Sequence, residues 1–190
     1  MKKGVTGMVW LFAVLLAVGV GAFTGRAGVC AGEGTRFGLR VAQFDPTESG
    51  LDSKTVFGMD VWLSDKARLS VEPYSYSESG YDPYYGVALT DTLKITPVTL
   101  SWVAPSADGR TYYGAGLGWY TAKLTVSVSG YGSESVSDSD MGWHLLAGRK
   151  LGKNTFAEVK YSKASVTFNA EGESYKADVG GFTMSAGVLF

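Results

Sequence analysis

From residue 35 onward, apolar and polar positions alternate one by one in segment after segment. At the end of the chain Phe182, Met184, Ala186, Val188 and Phe190 share one parity, Thr183, Ser185 and Gly187 take the other, and Leu189 alone breaks the pattern. A period of two is that of a β-strand with two unlike faces. The same pattern sets Phe37, Leu39 and Val41 against Arg36, Gly38, Arg40 and Ala42, and Phe57, Met59, Val61 and Leu63 against Gly58, Asp60 and Trp62. It sets Leu69, Val71 and Pro73 against Arg68, Ser70, Glu72 and Tyr74. It returns at 112–120, 141–148 and 157–162, where Ala157, Val159 and Tyr161 oppose Glu158, Lys160 and Ser162. Between Thr92 and Ala104 the parity slips: Leu93 and Ile95 hold one phase, Val98, Leu100 and Trp102 the other. A β-bulge at Pro97, which cannot donate to a ladder, is expected to absorb the slip.

These segments predict eight strands of about ten residues, the length that crosses a bilayer at a tilt. The connections at Ser64–Lys66, Pro105–Gly109 and Lys150–Asn154 are short. Those at Asp45–Gly50, Glu78–Thr90, Leu124–Asp140 and Asn169–Asp178 are expected to be longer loops. Tight turns on one rim and long loops on the other, with an even strand number that leaves no free edge, is the layout of a membrane barrel. The predicted fold is therefore all-β, an eight-stranded antiparallel up-and-down transmembrane β-barrel over residues 32–190.

A soluble lipocalin-like barrel would alternate in the same way with its faces exchanged. Charge decides between the two. The polar parity carries Arg36, Arg40, Arg68 and Lys160 with Asp60, Glu72 and Glu158. Such balance suits a narrow interior in which every buried charge needs a partner. These residues, with His144 on the same face, are the candidate lumen network. The Gly114, Gly116 and Gly118 row fits a tight lumen that makes room for large neighbours. Trp102, Trp119, Tyr161 and Phe190 lie toward strand ends on the apolar parity, as interfacial girdle residues would.

Lys2 and Lys3 precede an uncharged run from Gly4 to Gly25, a basic segment followed by an apolar one. Residues 1–31 are read as a signal peptide for export through the Sec pathway, cut after Val29-Cys30-Ala31. Lipidation of Cys30 is disfavoured because Ala27-Gly28-Val29 lacks the usual upstream Leu and final small residue. Losing Lys2, Lys3 and Arg26 leaves 14 of the 17 basic residues against 18 acidic ones, a net charge of −4. That balance, without a basic stripe, excludes a nucleic-acid partner. The mature chain has no cysteine, so disulfides and thiolate chemistry disappear.

The stretch Pro97-Val98-Thr99-Leu100-Ser101-Trp102, with Tyr113-Gly114-Ala115-Gly116-Leu117-Gly118-Trp119-Tyr120 and Gly142-Trp143-His144-Leu145-Leu146-Ala147-Gly148, resembles the small outer-membrane β-barrel superfamily. The OmpA-barrel, OmpX, OmpW and opacity-protein groups belong to it. The resemblance implies that Phe182, Met184, Ala186, Val188 and Phe190 form the C-terminal signal read by the barrel-assembly machinery. It also implies an outer-membrane location, with lipid and lipopolysaccharide as neighbours, and a monomer.

Fold analogy supplies no activity. A lipid-modifying enzyme of the outer membrane would pair His with Ser and an acid on the lipid-facing side. Here His144, the sole histidine, points inward with no His-x-Ser pair, so no catalytic residue is expected. One histidine without cysteine is also poor for metal, and no cofactor is expected. The expected role is a structural or surface-interaction barrel with a largely plugged lumen. The alternative is a narrow channel for small or apolar molecules, as the OmpW-like resemblance allows.

Overall fold

The computed structural model describes residues 35–48, 51–84, 86–170 and 173–190. The signal peptide and its cleavage site lie outside the described residues. The strands are β1 (Arg36–Pro46), β2 (Lys54–Ser64), β3 (Ala67–Val71), β4 (Tyr74–Asp82), β5 (Val87–Pro105), β6 (Thr111–Val128), β7 (Gly132–Lys150), β8 (Thr155–Lys163), β9 (Ser165–Ala170), β10 (Glu173–Asp178) and β11 (Gly181–Leu189). Their ladders make eight antiparallel staves, because three staves are each interrupted once. β3 pairs β5 with Val71 opposite Val98, and β4 continues that register unshifted with Tyr74 opposite Ile95. β8 pairs β11 with Ser162 opposite Gly181, and β9 and β10 continue it with Ser165 opposite Asp178. β1 pairs both β2 and β11, so the sheet closes and the wall keeps no free edge at the level of the ring.

No bulge occurs at Pro97. β5 and β6 hold one register from Leu89 opposite Val128 to Pro105 opposite Tyr112, with Pro97 facing Tyr120. The slip in the sequence marks a change in what the inner face packs against. Thr99 and Ser101 turn inward at a polar level of the lumen, whereas Ile95 turns inward where β9 and β10 offer apolar side chains. Pro73 and Pro97 lie at about the same height, and neither has an N–H to give, so the ladder is interrupted between β3 and β4 without a change of register.

The long loops expected at 78–90, 124–140 and 169–178 are mostly strand. β4 and β5 continue to turn residues Pro83, Tyr84 and Gly86, β6 and β7 to a turn at 129–131, and β9 and β10 occupy the described residues of the last segment. Gly130 and Gly132 adopt φ of 85° and 100° there, a region that favours glycine. The extensions are rich in Ser, Thr and Val, which suit a pleated backbone. Water bathes much of both faces, so the apolar alternation that marks a half-buried strand fades. The asymmetry between rims lies in strand height rather than loop length.

The outward parity forms an apolar belt. Phe57 is 72% exposed, Trp102 68%, Leu117 58% and Met59 57%, and Trp143 meets Tyr161 at 6.0 Å between ring centroids on the same surface. A contiguous exposed surface of this kind is unsuited to water and suited to hydrocarbon.

Candidate functional site

The inward parity builds three levels. The floor, at the short-turn rim, is Trp62, Val103, Tyr112, Leu146, Phe156 and Leu189. Leu189, which breaks the alternation of the last strand, is thus a floor residue. The roof, at the other rim, is Ile95, Tyr120 and Ala122 from the wall packed on Ala164, Val166, Phe168, Ala177 and Val179, with Phe44, Val56 and Ala42 beside Tyr74. Charge occupies the level between.

Arg40 on β1 is the hub. Its Nε donates to Asp60 Oδ2 at 2.9 Å on β2, its Nη1 to Glu72 Oε1 at 2.9 Å and to Glu158 Oε1 at 3.1 Å on β8, and its Nη2 to Asp60 Oδ1. Arg68 grips Glu158 with both terminal nitrogens, at 2.5 and 2.8 Å. Lys160 Nζ pairs with Glu72 Oε2. Ser70 Oγ donates to Asp60 Oδ1 at 2.6 Å, and Tyr112 OH to Glu158 Oε2 at 3.1 Å. The side chains of Arg40, Asp60 and Glu158 have no exposed surface. Three cations thus meet three carboxylates in water-poor surroundings, where each charge is tolerated only because it is paired and hydrogen-bonded. The planar guanidinium fork lets Arg40 serve three carboxylates at once and Arg68 hold one with two bonds, which an ammonium cannot match. Aromatic rings extend the support: Arg68 lies 5.2 Å from the Trp62 ring centroid and Arg40 5.7 Å from that of Phe156.

Of the residues predicted for this network, Arg36 does not join it. It shares the inward parity but sits one level below, at the short-turn rim, where its Nη2 donates to Lys153 O at 3.3 Å and Asn154 Oδ1 at 3.4 Å. Parity fixes the face of a residue; height along the stave decides whether it reaches the network. Ser70, Tyr112, Ser101 and Trp62 also line this part of the lumen, beyond the residues predicted for it. Each occupies the charged parity, and that shared parity is the sequence signal that points to them.

His144 lies beside the network, fully buried, with Nε2 2.8 Å from Ser101 Oγ. A serine–histidine pair invites a catalytic reading. The two residues are sealed within the barrel, and among the described residues Nδ1 has no partner, so no acid orients the ring as a triad requires. Gly116 is the cross-strand partner of His144. The other members of the glycine row likewise lie under Leu146 and Tyr120.

The last strand places Phe182, Met184, Ala186, Val188 and Phe190 on the outer surface between β1 and β8.

No family model matches the sequence, and no curated protein is significantly similar to it. Solved structures do match. The N-terminal β-barrel domain of OprF from Pseudomonas aeruginosa aligns with a TM-score of 0.56 at 9% identity, over 83% of this chain and 98% of that one. Ail, the attachment invasion locus protein of Yersinia pestis, aligns with a TM-score of 0.51 at 14% identity, over 82% of this chain and 96% of that one. Likeness at such low identity is a likeness of fold. This chain has the fold of the small bacterial outer-membrane β-barrels, an eight-stranded antiparallel sheet closed on itself.

Proposed function

We propose that the protein is an integral β-barrel of the Gram-negative outer membrane, with a lumen plugged by its own side chains and with a structural or surface-interaction role carried by the strands that rise beyond the belt. The observation that carries this reading is the pairing of opposites: a belt of exposed apolar side chains outside, and a buried, charge-balanced lattice of Arg40, Arg68, Lys160, Asp60, Glu72 and Glu158 inside. A conducting pore would keep such charges wet; here they satisfy one another across the bore. Lipid and lipopolysaccharide are the immediate partners, the C-terminal strand is the handle for barrel assembly, and the unit is a monomer. The test is planar-bilayer recording on the folded protein, together with gel mobility of the membrane fraction before and after boiling. The expected outcome is a heat-modifiable band without steady single-channel openings. Reproducible openings in the unmodified protein would sink the plugged-lumen reading.

One feature favours a second reading, a narrow route for small apolar molecules. The β2–β3 ladder ends at Met59 opposite Val71, and among the described residues the upper half of β2 has no ladder to β4. A pocket walled on one side by Phe44, Val56, Tyr74, Pro97 and Tyr120 and on the other by the Glu72–Lys160 pair, Ser162 and Thr183 lies behind this seam. Uptake of a fluorescent apolar solute by vesicles, abolished when Val56→Cys and Tyr74→Cys are cross-linked, is the result that reading requires.

A further inference from the structure

The strands that rise above the belt sort their charges by face. On one rung of the ladder Ser75, Lys94, Lys123 and Ser137 stand side by side across β4, β5, β6 and β7. They share the outward parity of Trp119 and Leu100, and both lysines are exposed. Thr92 and Thr96 flank Lys94 on its own strand, and Thr121 and Thr125 flank Lys123. The carboxylates of these four strands take the opposite parity. Glu78 faces Asp91 across one rung, Glu134 lies on that same rung, and Asp138 pairs with Ala122. The outer face is therefore hydroxyls and two ammonium groups, without a carboxylate among its described residues.

Two like charges directly opposite on neighbouring strands repel, with Cβ atoms about 5 Å apart. Neither lysine has an ion-pair partner among the described residues, although a sheet so rich in Asp and Glu could have supplied one by placing an acid on the same face. An external anion resolves the conflict. Height selects which one. Each lysine stands four residues beyond an outward belt residue, Val98 or Trp119, and at about 3.3 Å per residue along tilted strands that is roughly 10 Å above them. Where the belt lies in hydrocarbon, this rung lies at the headgroup level.

The geometry points to the Ser75–Lys94–Lys123–Ser137 rung as a binding site for lipid-borne phosphate groups at the outer boundary of the belt. This rests on the membrane reading above and adds a ligand class and residues to it. The two ammonium groups neutralise a phosphate between them, and the hydroxyls of Ser75, Thr96 and Thr125 donate to its remaining oxygens, while Ser137 Oγ donates to the Ala122 carbonyl at 3.3 Å and borders the site. A free phosphate would meet the same groups, but it would lack the acyl chains that hold a lipid against the apolar surface directly below.

The experiment uses the full barrel refolded into phosphatidylcholine nanodiscs carrying a small fraction of diphosphorylated lipid A or of its dephosphorylated form. Retained glycolipid is counted by native mass spectrometry, and folding of each variant is checked by heat-modifiable mobility. The wild type should retain the phosphorylated form and release the dephosphorylated one. Lys94→Ser should weaken retention roughly fivefold, and Lys94→Ser with Lys123→Ser roughly twentyfold. Lys66→Ser, on the opposite rim, should leave it unchanged, and excess inorganic phosphate should not displace the lipid. Equal retention by the folded double variant overturns the site, and so does indifference to the lipid's phosphates. Displacement by inorganic phosphate overturns the assignment to lipid. A wild type that does not insert into the bilayer overturns the membrane reading and the site with it.

Discussion

The His144 ring lies across the backbone of Gly116: a Cβ at 116 would stand 2.5 Å from His144 Cε1 and closer still to the Leu100 carbonyl oxygen. The absence of a side chain on one strand makes room for the imidazole on the next, and through it for the hydrogen bond to Ser101. Gly116→Ala should therefore destabilise the folded barrel by about 1–3 kcal/mol, measured as urea unfolding in vesicles. Adding His144→Ala should restore only part of the loss, because the Leu100 carbonyl is backbone and cannot move aside. Full restoration would show that the carbonyl contact costs nothing.

Removing the hub of the ionic level should be far worse than removing a balanced pair. Arg40→Met leaves Glu72 Oε1 without a cation and Asp60 with only the 3.8 Å contact to Arg68 Nε, while Glu158 keeps Arg68, and should cost about 3–5 kcal/mol. Lys160→Met with Glu72→Gln removes one charge of each sign and should cost less than either single change, a coupling that a double-mutant cycle reads directly. Additive effects would show that the charges are solvated.

The exterior makes the opposite prediction. Leu117→Arg puts a cation on the middle of the belt and should destabilise the protein by about 2–4 kcal/mol in bilayers. The same substitution would be near neutral if water covered that surface, so comparing it with Thr125→Arg, above the belt, reads the position of the boundary.

The short turn before β6 carries a pH signature. The Asp108 carboxylate accepts from the Thr111 amide at 2.8 Å, from the Thr111 hydroxyl at 2.7 Å and from the Arg110 amide at 3.0 Å. The Thr111 amide bond first of all, with the other two, holds this carboxyl below its usual pKa. Its contribution to the turn is accordingly complete above the ordinary Asp value of about 3.9 and fades as pH falls through the lower folded value. NMR titration should show the Thr111 and Arg110 amide resonances moving together with a midpoint below 3.9, and no such movement in Asp108→Asn.

How far the sequence reaches is plain from particular residues. Parity puts Phe57, Met59 and Leu117 on one face and Arg40, Asp60 and Glu158 on the other, and the balance of charges on the second face makes it the inside. Height is a different quantity, and a period of two carries none of it; hence Arg36 has the right face and the wrong level. The apolar inward residues Leu93 and Ile95 suggest a bulge only while their partner is unknown. Val166 and Phe168, which complete the roof, lie more than 60 positions further along the chain, in a segment whose small and polar residues read as a loop. Tertiary packing across that distance has no local signature.

The roof and the closing stave belong to one continuous hairpin: the register of Ser162 with Gly181 runs on into that of Ser165 with Asp178, and the same hairpin zips to β1 through β11. The stave that closes the ring on β1 therefore carries its own lid. With the β1–β11 seam open, that lid would be out of place as well, and Arg40 and its carboxylates would face water. Sealing the cylinder and drying its acid–base centre thus fall to a single hairpin.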